Sequence, residues 1–130
     1  MNLNIAANQY KKLNISADVD SADAHRLVQM LLRGAISKLS EAANHLKCAD
    51  HSMKGESVSK AIAIIEYLRV SLEPGGDPAF AEQLGELYSY MERRIFEANA
   101  RNDEQGFVEV QGLLREVEEG WSAIPAEYRG

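Results

Sequence analysis

Three histidines and one cysteine are the side chains of this sequence best suited to bind a metal ion. Two of the histidines flank the cysteine in the pattern His45-x-x-Cys48-x-x-His51. Each residue of an α-helix turns by about 100°, so on one straight helix these side chains point in widely different directions. They converge only if the helix breaks near Asp50, and a fourth ligand would still be missing. We therefore expect neither a metal site nor another cofactor.

Nucleophilic catalysis is not favoured by the residues around Cys48. Its neighbour Lys47 would lie on a different face of a helix and is poorly placed to activate the thiol. Gly75-Gly76 is not followed by the Lys-Ser/Thr pair of a phosphate-binding loop, and no strand precedes it. We predict that the protein is not an enzyme.

Charge and composition exclude two further classes of partner. The formal net charge is −6. The pair Arg93-Arg94 comes nearest to a basic patch, but the neighbouring acids Glu92 and Glu97 offset its positive charge. We therefore do not expect nucleic-acid binding. No run approaches the roughly 18 apolar residues of a membrane helix, so we expect no membrane insertion. Residues 1–20 lack the apolar centre of a signal peptide, and a single cysteine suits a reducing compartment. These features predict a cytoplasmic protein.

The spacing of apolar residues predicts an all-α protein. Apolar side chains recur at alternating steps of four and three, which is typical of the seam between antiparallel helices. No segment shows the period of two that a strand requires. A chain of 130 residues is one domain by length, so we predict an antiparallel up-down four-helix bundle with an additional N-terminal arm or short helix. The predicted segments are an arm at 1–20, a bundle at 21–122 with helices at about 24–49, 51–72, 78–100 and 104–121, and a tail at 123–130.

Turn residues mark the limits of these helices. A carboxylate before a helix can accept a hydrogen bond from one of its free amides. Aspartates stand where each of the four helices is expected to begin: Asp23, Asp50, Asp77 and Asp103. Trp121 is the last apolar position of the fourth helix, and we expect it in the core.

Several apolar side chains fall outside these stripes and could form a surface for a partner. They are Ile36, Ile64, Tyr67, Phe80, Tyr90 and Phe96. Taken singly, each could belong to the broad buried face that a four-helix core allows. A contiguous exposed patch made from several of them would instead mark a binding groove, which commonly accepts an amphipathic helix.

An ordered set of segments resembles the FliS family of flagellin export chaperones. The segments are LVQMLLRGA at 27–35, KAIAIIEYL at 60–68, LYSYMERRI at 87–95 and LLRE at 113–116, with Tyr10 and Trp121 at either end. Three departures are modest: Asp23-Ala24 replaces the Ser-Pro that often opens the first helix, Leu32 replaces a common tyrosine, and Arg33 replaces the acidic residue that follows it.

The resemblance implies a cytosolic chaperone that binds the disordered C-terminal region of flagellin. It would prevent premature polymerisation of flagellin and present the subunit to the flagellar export apparatus. Ordering a disordered segment costs free energy, so the contact surface should be extended and largely apolar. Our candidates for the flagellin-binding surface are Tyr10, Ile64, Tyr67, Tyr90 and Arg94.

Two alternatives remain open from the sequence. One is a homodimeric bundle that buries the same patches against a second copy, and the other is an adaptor or regulator that binds a different partner helix. The arm adds a hypothesis about regulation, because Tyr10 could either compete with flagellin for an apolar groove or clamp the bound client.

Overall fold

The computed structural model describes residues 24–72 and 78–123, and this part of the chain is helical without any strand. Its helices are α1 (Ala24–Lys47), α2 (His51–Val70), α3 (Pro78–Arg101) and α4 (Glu104–Ser122). The predicted all-α bundle is thereby confirmed. The arm with Tyr10, the expected caps Asp23 and Asp77, and the tail beyond residue 123 lie outside the described residues.

The turn between α1 and α2 is longer than the sequence pattern suggested, because α1 ends two residues earlier than predicted. α1 ends at Lys47 because Ala49 adopts a left-handed conformation, with φ 56°. The Asp50 amide donates to the His45 carbonyl at 2.9 Å, which satisfies a carbonyl of the last helical turn. The Asp50 carboxylate then accepts from the Met53 amide at 3.1 Å. One helix therefore ends and the next begins within three residues.

The turn between α3 and α4 repeats this geometry. Asn102 has φ 54°, a conformation that asparagine tolerates better than most residues. The Asp103 amide donates to the Ala98 carbonyl at 2.9 Å, and the Asp103 carboxylate accepts from the Gln105 amide at 3.1 Å. Asp50 and Asp103 are thus the N-caps that the sequence indicated.

A buried lysine joins α2 to the end of α3. Lys54 is only 5% exposed, and its ammonium group donates to the Asn99 carbonyl at 3.1 Å and to the Asn102 side-chain oxygen. The carbonyl groups at a helix C-terminus carry partial negative charge, so a cation is favourable there. Lys54 therefore fixes the beginning of α2 against the end of α3.

The helices pack in the order of an up-down bundle. α1 packs against α2 and α4, and α3 packs against the same two helices. Lys47 at the end of α1 pairs with Glu104 at the start of α4 at 3.2 Å, so these neighbours run antiparallel. Buried apolar side chains of all four helices form the core: Leu27, Val28, Met30, Leu31, Leu32, Ala35, Leu39, Ala42, Val58, Ala61, Ile64, Ile65, Leu68, Tyr88, Met91, Ile95, Ala98, Phe107, Val110 and Leu114.

Trp121 differs from its expected position in the core. Its side chain is half-buried and packs against the core from the edge, because it lies in the last turn of α4 at the open end of the bundle. α2 also ends earlier than expected, at Val70.

Candidate binding groove

An apolar cavity of about 800 Å³ opens at the end of the bundle where α1 and α3 begin and α2 and α4 end. All four helices contribute to it. We call it the groove and define it by its walls, Phe80, Leu84 and Leu87 on α3 and Leu113, Val117 and Trp121 on α4. Most wall residues are half-buried, whereas Phe80 is 63% exposed. An apolar concavity of this kind is where a partner chain can exclude water.

α3 and α4 approach each other closely at the end of the bundle away from the groove. A Cβ atom added to Gly106 would lie 2.4 Å from the Ala98 Cβ, so only glycine fits there. Near the groove, leucine, valine and tryptophan side chains face each other instead. The separation of packed helices depends on the side chains between them, so small residues bring α3 and α4 together and large ones hold them apart.

A reciprocal clasp holds α1 and α4 together at one side of the groove. His25 Nε2 donates to the Trp121 carbonyl, and Trp121 Nε1 donates to the His25 carbonyl, both at 2.7 Å. The two rings are stacked, with centroids 5.0 Å apart and planes inclined by 13°. Arg33 on α1 also pairs with Glu118 on α4 at 2.8 Å. This wall is therefore fixed, and the helix ends cannot open without breaking these contacts.

Tyr88 forms part of the floor of the groove. The residue is 2% exposed and lines the cavity. Burial raises the pKa of Tyr88 to about 12, because an ionised phenol would be poorly solvated there. The hydroxyl is therefore protonated throughout the neutral pH range.

Two of the predicted binding residues lie on α2 and away from the groove. Ile64 has no exposed surface and belongs to the core. In this conformation it offers no contact to a partner. Tyr67 is half-buried and packs against the core. Neither side chain lines the groove.

Tyr90 and Arg94 instead join α3 to α4 on another face. The Tyr90 hydroxyl donates to Glu109, and Arg94 donates to Glu109 at 2.9 Å and to Asp103 at 3.1 Å. The hydrogen bond from Tyr90, followed by that from Arg94, lowers the pKa of Glu109. The bond to Glu109 likewise raises the pKa of both Tyr90 and Arg94. These polar groups are engaged within the bundle, and the fifth candidate, Tyr10, lies outside the described residues.

A second, shallower depression lies between α2 and α3. Its volume is about 560 Å³, and its apolar part is made by Ile62, Phe96 and Ala100. Phe96 is 70% exposed, the largest value among the exposed apolar side chains that the structure describes. Glu92 at its edge pairs with Arg69 at 2.9 Å, and burial of the carboxyl raises the pKa of Glu92 despite that pairing. This surface involves two helices rather than four.

No metal-binding cluster is present in residues 24–72 and 78–123. No group of three or more His, Cys, Asp or Glu side chains is suitably placed there. Cys48 lies exposed in the turn after α1. Nor is any helix in the described part of the chain long and apolar enough to cross a membrane.

This architecture defines a class of protein, a helical bundle with an apolar groove, and the sequence of the chain also matches a known family. Residues 6–128 match the family described as "Flagellar protein FliS". The flagellar secretion chaperone FliS of Vibrio cholerae is 38% identical over 121 residues, which cover 92% of this chain and 88% of that protein. The Salmonella typhimurium FliS is 42% identical over 116 residues, covering 88% and 86%. Pseudomonas aeruginosa FliSB is 39% identical over 119 residues, covering 92% and 94%.

The chain belongs to the FliS family of flagellar secretion chaperones. The resemblance carried by the helical segments of the sequence is thereby confirmed.

Proposed function

We propose that this protein binds the C-terminal segment of flagellin in the groove, prevents its premature polymerisation and presents it to the flagellar export apparatus in the cytosol. The observation that carries this proposal is the groove itself, a concave apolar surface to which all four helices contribute. Family membership supports the choice of a flagellar client.

The groove suits a client segment that is disordered before it binds. Such a segment gains free energy by burying apolar side chains, at about 25 cal/mol per Å² removed from water. It loses part of that gain on ordering, so a rigid receptor is favourable. The clasp between His25 and Trp121 and the junction at Lys54 hold the helices in place before the client arrives.

We propose that the arm at residues 1–20 is a competing occupant of the same groove. Three residues connect it to Ala24, where α1 begins, and the next residue, His25, lines the groove. A segment tethered at the mouth of a groove has a high effective concentration there. We propose that the arm, including Tyr10, covers the groove in the absence of a client and is displaced by it.

A homodimer remains the second candidate because of the depression between α2 and α3. Phe96 is 70% exposed there, and its neighbours include the acids Glu92 and Glu97 and the bases Arg93 and Arg101. A twofold interface needs a self-complementary surface, and a patch with balanced charges can meet its own copy. Gel filtration with light scattering distinguishes this dimer, or a dimeric adaptor, from a monomeric chaperone.

Titration calorimetry of the full chain with a C-terminal flagellin fragment tests the proposed function. We expect a one-to-one complex and a negative heat-capacity change, because apolar surface is buried on binding. No detectable heat at several temperatures, with both proteins at high micromolar concentration, would contradict it.

The same titration on a chain lacking residues 1–15 tests the arm. Tighter binding is expected if the arm competes with the client. Weaker binding would show that the arm clamps the client, and an affinity unchanged within about twofold would remove the arm from the binding step.

A further inference from the structure

The buried side chain of Tyr88 differs in its hydrogen bonding from those of His25, Lys54 and Gln111. Its hydroxyl makes no hydrogen bond to any described residue, although Tyr88 is 2% exposed. The buried polar groups of His25, Lys54 and Gln111 are all bonded; Gln111, for example, donates to the Ile36 carbonyl at 3.1 Å. A buried polar group without a partner is uncommon and calls for an explanation.

The position of the hydroxyl gives that explanation. Within the described part of the chain, Asn99 Oδ1 is the one fully enclosed side-chain oxygen or nitrogen that lacks a partner. The Tyr88 hydroxyl has no hydrogen bond to the described residues either, but it is not one of the fully enclosed atoms. Tyr88 lines the groove, so a chain bound there could reach this hydroxyl.

We propose that Tyr88 determines specificity in the groove, donating a hydrogen bond to a backbone carbonyl at the C-terminal end of a helix in the bound flagellin segment. This inference rests on the proposed function and names the contact that the client makes there. The last four carbonyl groups of a helix have no partner within the helix, so a client helix that ends in the groove brings acceptors with it.

The helix ends around the groove do not impose a polarity on the client. α1 and α3 begin there but α2 and α4 end there, so partial positive and partial negative charges lie side by side. The contact therefore depends on the hydrogen-bonding capacity of the hydroxyl. The phenol supplies the proton, since a group with a pKa of about 12 does not ionise near neutrality.

The contact predicts opposite effects of one substitution on folding and on binding. In the free protein, Tyr88→Phe removes a hydroxyl that is poorly solvated and unpaired, so the midpoint of thermal unfolding should stay the same or rise. In the complex the same change leaves the client carbonyl buried without a donor. We expect Tyr88→Phe to weaken binding of the flagellin C-terminal fragment by about tenfold.

Tyr90→Phe is the matched control, because it removes the same atom from the same helix outside the groove. The Tyr90 hydroxyl is bonded to Glu109, so its loss should leave client affinity unchanged within about twofold. Calorimetry with the fragment and thermal unfolding of the free chain should be measured for both variants and the wild type.

Each outcome supports or overturns the contact. A tenfold loss confined to Tyr88→Phe, with no loss of thermal stability, supports it. Unchanged affinity in Tyr88→Phe overturns the contact and leaves the proposed function intact, provided the wild type binds. A loss of affinity that accompanies a lower unfolding midpoint assigns Tyr88 to folding alone and overturns the contact. Absence of binding by the wild type overturns the proposed function and this inference together.

Discussion

Replacing Phe80 by aspartate is expected to weaken binding of the flagellin C-terminal fragment by about 50-fold. Phe80 forms the outer wall of the groove and is 63% exposed in the free chain. A client that covers it removes apolar surface from water, and full burial of such a side chain contributes about 2–3 kcal/mol. The aspartate loses that contribution and adds a charge that the bound client would desolvate. The affinity is measured by titration calorimetry.

Phe96→Asp is the control, because Phe96 lies on the same helix and is 70% exposed outside the groove. Both wild-type side chains are largely in water, so both variants should fold with nearly wild-type stability. We expect Phe96→Asp to keep its affinity within about twofold. Loss of binding in Phe96→Asp with normal binding in Phe80→Asp would place the client on the depression between α2 and α3.

Gly106→Ala is expected to lower the free energy of unfolding by about 2–3 kcal/mol. The new Cβ would lie 2.4 Å from the Ala98 Cβ and 2.8 Å from Arg94 Nη1. Ala98 has no rotatable side chain that could move aside, so α3 and α4 must separate, and overpacking of this kind carries a cost of that size. The change also strains the contacts of Arg94 to Asp103 and Glu109. Chemical denaturation followed by circular dichroism measures the effect.

Gly112→Ala on the same helix separates steric crowding from helix propensity. A Cβ at Gly112 meets nothing within 4 Å, so the substitution should raise stability by about 0.5–1 kcal/mol because alanine favours a helix. Equal changes in the two variants would contradict the close approach of α3 and α4 at Gly106.

The sequence predicts the helices well because their periodicity and turn chemistry are local. The stripe of α1 and the caps Asp50 and Asp103 follow from neighbours within a few residues. Only the ends differ by a residue or two, since the left-handed conformation of Ala49 has no signature in its residue type. α2 begins at His51 although Gly55 lies near its start, because Asp50 caps the helix.

The groove is harder to predict because it depends on the distance between two helices. Phe80 stands out in the sequence as an apolar residue beyond the stripes, and it is the one residue of that set on a groove wall. Ile64 has the same appearance but lies in the core, since α2 packs against both α1 and α3 and buries a wider face. In the sequence, Tyr90 and Arg94 look free to contact a partner. In the fold, Glu109 on α4 lies beside them and accepts a hydrogen bond from each. The close contact between Gly106 on α4 and Ala98 on α3 can be recognised only in the folded structure.

Quenching of Trp121 fluorescence by acrylamide tests the central claim most directly. Trp121 is the only tryptophan of the chain and is a half-buried residue of the groove wall, so its emission reports on the occupied site. Adding a tryptophan-free C-terminal fragment of flagellin to a chain lacking residues 1–15, in which the arm cannot cover the groove, should lower the quenching constant and shift the emission to shorter wavelength, because the client shields the indole from water. Calorimetric binding that leaves both the quenching constant and the emission of Trp121 unchanged would contradict a client in the groove.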